Sequence, residues 1–173
     1  MEFVWHGEFE RLFASYQQTQ QHSWLLCPVQ MCPSPKWNLY QDAAKVRFLC
    51  QSCGHGWTSM KGRVVFWFML CTNGCGFVAF KLFGQQCKRC QNGRFEHAMW
   101  YPEEVFKVLN NIYFRVGQTY YGFKEAVYRK DRRKGKPRTQ HPADLCQACK
   151  MGVCTFQKTD LPTANSVAYM PSG

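Results

Sequence analysis

Residues 47–57, RFLCQSCGHGW, and residues 83–90, FGQQCKRC, each carry a Cys-x-x-Cys pair, Cys50/Cys53 and Cys87/Cys90, with 33 residues between the inner cysteines. Two residues between cysteines let a tight turn aim both thiolates at one point, and two such turns supply the four soft ligands of a closed tetrahedral zinc site. Between the pairs runs RVVFWFML (63–70), apolar on both faces of a strand. It is followed by CTNGCG (71–76), whose Asn73-Gly74 is a strong hairpin-turn signal, and by a returning strand over residues 77–83. The pattern predicts a long β-hairpin that carries Cys53 and Cys87 back to one another, so the wide spacing still closes one site. Four thiolates leave no open position for water or substrate, which makes the site structural and a contributor to folding.

Working outward, a third pair, Cys146/Cys149, is followed by Cys154. These three ligands predict a second zinc site whose fourth ligand is open among Cys27, Cys32, Cys71, Cys75 and His141. Cys27 and Cys32 stand in a loop made rigid by Pro28, Pro33 and Pro35 and present two thiols, so both are candidate metal ligands. Cys71 and Cys75 flank the hairpin turn, where metal binding, a loop-closing disulfide and idle thiols all fit the spacing.

Two helices are expected beside the hairpin. Trp5, Phe9, Leu12, Phe13 and Tyr16 fall at helical spacing over residues 3–16, with the glutamines of 17–21 as a surface loop. Pro102-Glu103-Glu104 suits a helix start, Val105, Val108, Leu109, Ile112 and Val116 form one apolar stripe, and Gly122 is placed to end it. A short strand is expected over residues 46–49. The apolar strand 64–70 would have the helices on one face and the N-terminal segment on the other, or else one aromatic face open to a client protein.

The 173 residues are 46% hydrophobic, 16% aromatic and carry a formal charge of +11. That is enough chain for one domain with an aromatic core, and the charge favours an acidic partner. The N-terminus carries charges throughout instead of an apolar signal core, and eleven cysteines cannot all pair as disulfides, so a reducing, cytoplasmic setting is expected. The longest apolar run, residues 64–71, is too short to span a bilayer, and no transmembrane segment is expected. The run 129–138, RKDRRKGKPR, holds Arg129, Lys130, Arg132, Arg133, Lys134, Lys136 and Arg138 against one Asp131. It reads as a solvated linker, a peripheral contact to an anionic membrane, or an RNA contact with Tyr120, Tyr121, Phe123 and Tyr128 available for stacking. His6-x-Glu8 is half of a zinc-deaminase signature, but none of the Cys-x-x-Cys pairs follows a proline, so no enzyme is expected.

Together, Phe48-x-Cys50-x-x-Cys53-x-x-x-Trp57-x-Ser59, Phe83-Gly84-Gln85-x-Cys87-x-x-Cys90 and Asp144-Leu145-Cys146-x-x-Cys149-x-x-Gly152-x-Cys154 resemble the 3CxxC-type zinc-finger superfamily. Within it, the Trp5 to Phe13 segment and the helix from Pro102 to Tyr121-Gly122 look like those of the receptor-transporting proteins. The resemblance covers residues 5–156. It implies a non-enzymatic zinc-binding adaptor or chaperone that helps G-protein-coupled receptors, notably chemosensory ones, reach the cell surface. The related zygote arrest family shares the form of the last cysteine cluster and is associated with messenger RNA, which implies RNA binding, in antiviral or translational control, as the alternative. The expected architecture is α+β: a small zinc-stabilised domain over residues 1–156, a long β-hairpin with zinc knuckles at its base, two packed helices, and a disordered tail over residues 157–173.

Overall fold

The computed structural model describes residues 2–124 and 141–154; the basic run 129–138 and the tail 157–173 lie outside them. The architecture is α+β. A first helix, α1 (Glu2–Gln20), leads into β1 (Ser23–Pro28), β2 (Asn38–Leu49), β3 (Gly56–Leu70) and β4 (Cys75–Leu82). Three two-residue strands follow, β5 (Gln85–Gln86), β6 (Phe95–Glu96) and β7 (Met99–Trp100). The chain continues through α2 (Pro102–Tyr120), a 3-10 turn (Ala143–Leu145) and a one-turn helix, α3 (Gln147–Lys150). Five strands form one sheet in the order β1-β4-β3-β2-β7, β5 pairs with β6, and Gln85 also makes an isolated antiparallel bridge to Cys146.

The hairpin predicted around Asn73-Gly74 is β3–β4, with Gly74 at φ +82° and the N–H of Cys71 bonded to the carbonyl of Cys75 at 2.9 Å. It is part of a larger sheet than the sequence suggests. The strand expected over residues 46–49 begins at Asn38 and pairs antiparallel along β3, from Asn38 opposite Phe68 to Leu49 opposite Gly56. Residues 38–45, NLYQDAAK, show no strand-like alternation, and their extended form comes from the long edge that β3 offers for pairing. Cys27 and Pro28, expected in a rigid loop, instead end the edge strand β1, which runs parallel to β4. The helix over residues 3–16 likewise extends through its glutamines, which are good helix formers, to Gln20. It closes with the N–H of His22 on the carbonyl of Tyr16 and with Gln21 at φ +57° in the position glycine usually takes.

Both faces of β3 are covered. On one, Val64, Phe66 and Phe68 pack with Val78, Phe80, Val46 and Phe48 beneath α1 and α2. Trp5, Phe9, Phe13 and Tyr16 from α1 meet Val105, Leu109, Ile112 and Val116 from α2 in that core. Tyr16 stacks on Tyr113 at 4.7 Å between ring centroids and donates its hydroxyl to the Tyr113 carbonyl at 2.7 Å. On the other face, Val65, Trp67, Ala79 and Phe83 pack against Cys146, Ala148, Cys149 and Cys154. The N-terminal segment therefore shares the face of α2, and the C-terminal cysteine segment covers the second face. An aromatic face left open around Trp67 and Phe68 is not found, because these residues are 8% and 1% exposed.

One glycine lets β6 close on the chain just after β4, at the point where the C-terminal segment also docks. A Cβ on Gly84 would lie 2.6 Å from the Glu96 carbonyl oxygen, a backbone atom that cannot swing away. Gly84 also exchanges hydrogen bonds with Gln147, from its N–H to Oε1 at 2.8 Å and from the Gln147 N–H to its carbonyl at 3.1 Å. Gly84→Val is expected to destabilise the protein by about 1–3 kcal/mol through overpacking, read as a lower midpoint of chemical denaturation.

Candidate metal centres

The first pair of cysteines occupies the turn between β2 and β3. Leu49 and Gly56 are the last paired residues, and the turn is closed by the Cys50 N–H on the His55 carbonyl at 2.9 Å and the Gly54 N–H on the Cys50 carbonyl at 3.0 Å. The backbone at Gly54 is left-handed, φ +67°, as this tight turn needs. The second pair occupies the turn between β5 and β6, closed by the Gln91 N–H on the Cys87 carbonyl at 3.1 Å, with Gln91 at φ +48°. The two knuckles are thus turns of separate hairpins facing one another, where the sequence placed both at the base of β3–β4.

What brings the second knuckle to the first is the free stretch of β3. The β3–β4 pairing stops at Val64 opposite Leu82, while β3 itself extends back to Gly56. Residues 83–87 follow that overhang through other bonds. The Phe83 N–H donates to the Arg63 carbonyl at 3.1 Å, Trp57 Nε1 to Gln85 Oε1 at 3.0 Å, and Gln85 Nε2 to Ser59 Oγ at 3.1 Å. From the far side, buried Glu96 accepts the Gln51 N–H at 3.2 Å, and Asn92 Nδ2 donates to Ser52 Oγ at 2.8 Å.

The result is a cluster of four thiols, Cys50, Cys53, Cys87 and Cys90, whose Sγ atoms all lie within 4.8 Å of one another. Cys50 to Cys90 is 3.5 Å and Cys53 to Cys87 is 3.7 Å. A zinc ion bound to four thiolates at about 2.3 Å spaces its sulfurs about 3.8 Å apart, so these thiols fit a tetrahedral metal. A disulfide would need about 2.05 Å. Burial pushes the Cys50 thiol up to about 12, while the Cys90 backbone N–H brings Cys87 down to about 7.

A second group joins His141, Cys146, Cys149 and Cys154, with ligand atoms again within 4.8 Å. Nε2 of His141 lies 3.1 Å from Cys149 Sγ and 3.8 Å from Cys154 Sγ, on either side of the about 3.6 Å that zinc with one imidazole and thiolates requires. The three cysteines are buried against the sheet. Burial, then Lys61 and Arg63, pull the His141 imidazole below its usual range, favouring the neutral form that binds metal. Burial pushes Cys149 up to about 12.

Of the five residues the sequence left open as fourth partner, the geometry brings His141 to the cluster. Cys27, Cys32, Cys71 and Cys75 belong to neither group among the described residues. Cys27 is half-buried in β1, Cys32 is exposed with its thiol on the Ser34 carbonyl at 3.1 Å, and Cys71 and Cys75 flank the hairpin turn. Glu8, of the His6-x-Glu8 pair on α1, takes part in an ion pair with Arg11 at 3.0 Å. Arg129, Lys130, Arg132, Arg133, Lys134, Lys136 and Arg138 lie outside the described residues. Asn92, Glu96 and Arg63, which lie beside the clusters, carry no motif that would single them out in the sequence, whereas Gln85 stands in the stretch that precedes Cys87.

Two closed four-ligand sets, one of them made by crossed hairpin turns, define a zinc domain in which the metal has a structural role. The chain belongs to the 3CxxC zinc-binding domain family, whose profile matches residues 43–152 and so spans both knuckles and most of the second cluster. It is similar to human receptor-transporting protein 4, 25% identical over 81% of this chain and 58% of the relative. Mouse receptor-transporting protein 4 is 27% identical over 66% of this chain and 48% of its own length. Mouse receptor-transporting protein 2 is 23% identical over 78% and 61%. The chain thus spans about half to three-fifths of the curated relatives it matches. No solved structure matches it.

Because thiols at neutral pH must lose protons to bind metal, the sign of the pH effect follows directly. Occupancy is full where the thiolates persist in the metal-bound state and falls as pH drops, by about tenfold in affinity per pH unit for each proton released. The purified protein is expected to hold two zinc ions per chain by elemental analysis, and Cys53→Ser one. Release to a colorimetric chelator should rise steeply on acidification.

Proposed function

We propose that this protein is a non-enzymatic zinc-built adaptor that assists membrane receptors, with G-protein-coupled receptors as the class, on their way to the cell surface. The observation that carries this reading is kinship with receptor-transporting proteins over most of the chain, together with two ligand sets that leave no coordination position for chemistry. Residues 1–156 act as one unit in this reading, with Cys50, Cys53, Cys87 and Cys90 holding one zinc and His141, Cys146, Cys149 and Cys154 the other. Among the described residues no helix is long and apolar enough to cross a membrane.

The surface available to a client is the end of the second sheet face that the C-terminal segment does not cover. There Leu25 pairs with Phe77, Phe77 with Met69, and Leu39 with Trp67, and Leu25 and Leu39 are 56% and 52% exposed. Exposed apolar residues gathered on one face suit an apolar segment of an unassembled receptor. Co-expression with a panel of chemosensory receptors should raise surface labelling several-fold, and Leu39→Asp, which leaves the core intact, should abolish the gain. Surface levels that do not change for any receptor would defeat the reading.

RNA binding is the second reading, and a specific observation favours it. Arg47, Lys88, Arg89, Arg94 and Lys150 are exposed around the first knuckle pair and α3, while the nearby Glu96 is buried. Beside them His55 stacks on Trp57 at 5.8 Å and Trp57 on Phe48 at 5.2 Å, a ladder of rings that runs from the core toward the surface. In this reading the basic run 129–138 adds further phosphate contacts. Affinity for single-stranded RNA should then fall steeply with salt and drop further in a Lys88→Gln/Arg89→Gln double variant. A zinc-loaded protein that binds no RNA at low salt removes it.

A further inference from the structure

The two centres are stabilised by different means. In the first, the donors to the sulfurs come from the knuckles themselves: the backbone N–H groups of Ser52 and Cys53 face Cys50, those of Arg89 and Cys90 face Cys87, and Asn92 Nδ2 reaches Cys50 Sγ at 3.7 Å. The second has a side chain from the sheet. Arg63, on β3 and only 6% exposed, points its Nη2 at Cys154 Sγ, 3.8 Å away, and among the described residues Lys61 and Arg63 are the cations that act on His141. Three thiolates, one neutral imidazole and a divalent zinc ion leave a net charge of −1 against the buried face of a sheet. A buried ion is tolerated when a counter-charge and hydrogen bonds meet it, and a guanidinium does both with a rigid fork of donors.

We propose that Arg63 is the counter-charge through which the sheet holds the second metal centre, a positioning residue for zinc that lies 78 positions from the nearest of that centre's ligands along the chain. The inference rests on the reading of His141, Cys146, Cys149 and Cys154 as a zinc centre. Arg63 faces the same side of the sheet as Val65 and Trp67, and its carbonyl accepts the Phe83 N–H, next to the Gly84–Gln147 contact. It therefore sits where β3, the approach to the first knuckle pair and the C-terminal segment meet. Loss of its charge weakens the hold on the second zinc first, and with it the cover over Val65, Trp67, Ala79 and Phe83. The first centre, served by its own backbone amides, is the internal control.

The test uses the full chain, with Arg63→Lys, which keeps the charge, and Arg63→Gln, which keeps a donor and loses the charge. Each zinc affinity is measured by chelator competition, and the sulfur-to-metal charge-transfer bands are recorded after cobalt(II) substitution. Wild type should bind two zinc ions. Arg63→Gln should lower the affinity of the second centre, identified as the zinc that Cys53→Ser retains, about 10- to 100-fold, the usual range for loss of a partner behind the ligands, with the first centre unchanged. Its cobalt bands should also move, since a thiolate has lost a cationic donor, and Arg63→Lys should recover most of the affinity. Wild type that binds a single zinc sinks the zinc reading of the second group, and the role of Arg63 with it. Two zinc ions in wild type with Arg63→Gln unchanged, or with both variants equally weak, overturns the counter-charge alone. Failure of both variants to fold overturns it too, because the first centre would then depend on Arg63 as much as the second.

Discussion

The unpaired overhang of β3 is the constraint from which the rest of the structure follows. From Arg63 back to Gly56 this strand is paired on one side by β2 while β4 has already ended at Leu82. A strand edge with unmet donors and acceptors has to be closed. Here the Phe83 N–H meets the Arg63 carbonyl on that edge, and side-chain bonds from Trp57 to Gln85 and from Gln85 to Ser59 tie the following residues alongside it, which steers Cys87 onto the turn that follows β2. Four soft ligands then converge because two hairpin turns are crossed, and a metal ion joins elements that share no ladder. The hydrophobic effect brings apolar faces together without direction; a tetrahedral thiolate site adds direction and fixes the angle between the hairpins.

The same strand separates two cores that are held in different ways. Beneath α1 and α2 the packing is aromatic, with Trp5 stacked on Phe80 at 5.1 Å and Phe9 on Phe13 at 4.0 Å, and it needs no metal to be buried. On the opposite face the cover is a segment of fourteen described residues, 141–154, with one helical turn and few large apolar side chains. Such a segment cannot bury enough surface to dock by itself. Its three cysteines and one histidine, together with Gln147 on Gly84, supply what the apolar contacts lack. Of the two cores, the one over Trp67 is therefore the one whose cover carries the second ligand set, whereas the one under the helices is ordinary packing.

Function of the adaptor kind is consistent with that division. The core under the helices is aromatic, the two four-ligand sets suit structural metal ions, and Leu25 and Leu39 are exposed on the second sheet face. Among the described residues, Arg47, Lys88, Arg89 and Arg94 are exposed near the knuckles, away from Leu25 and Leu39.

Much of this was legible in the residues. The Cys-x-x-Cys pairs, the Asn-Gly turn and the stripe of Val105, Val108, Leu109, Ile112 and Val116 are local signals whose geometry is set by two to four residues at a time, and they determined the hairpin, the second helix and the thiol chemistry. Strand β2 was not legible before Val46, because NLYQDAAK becomes extended only when β3 lies beside it. Nor could the sequence choose His141 among five possible partners, assign the C-terminal segment to the face of Trp67, or single out Arg63. Those choices join residues tens of positions apart, and they are made by which faces and edges remain unsatisfied once the sheet has formed. Local spacing determined the pieces, and only the tertiary structure decided how they meet, because burial and ligand geometry are properties of the assembled sheet.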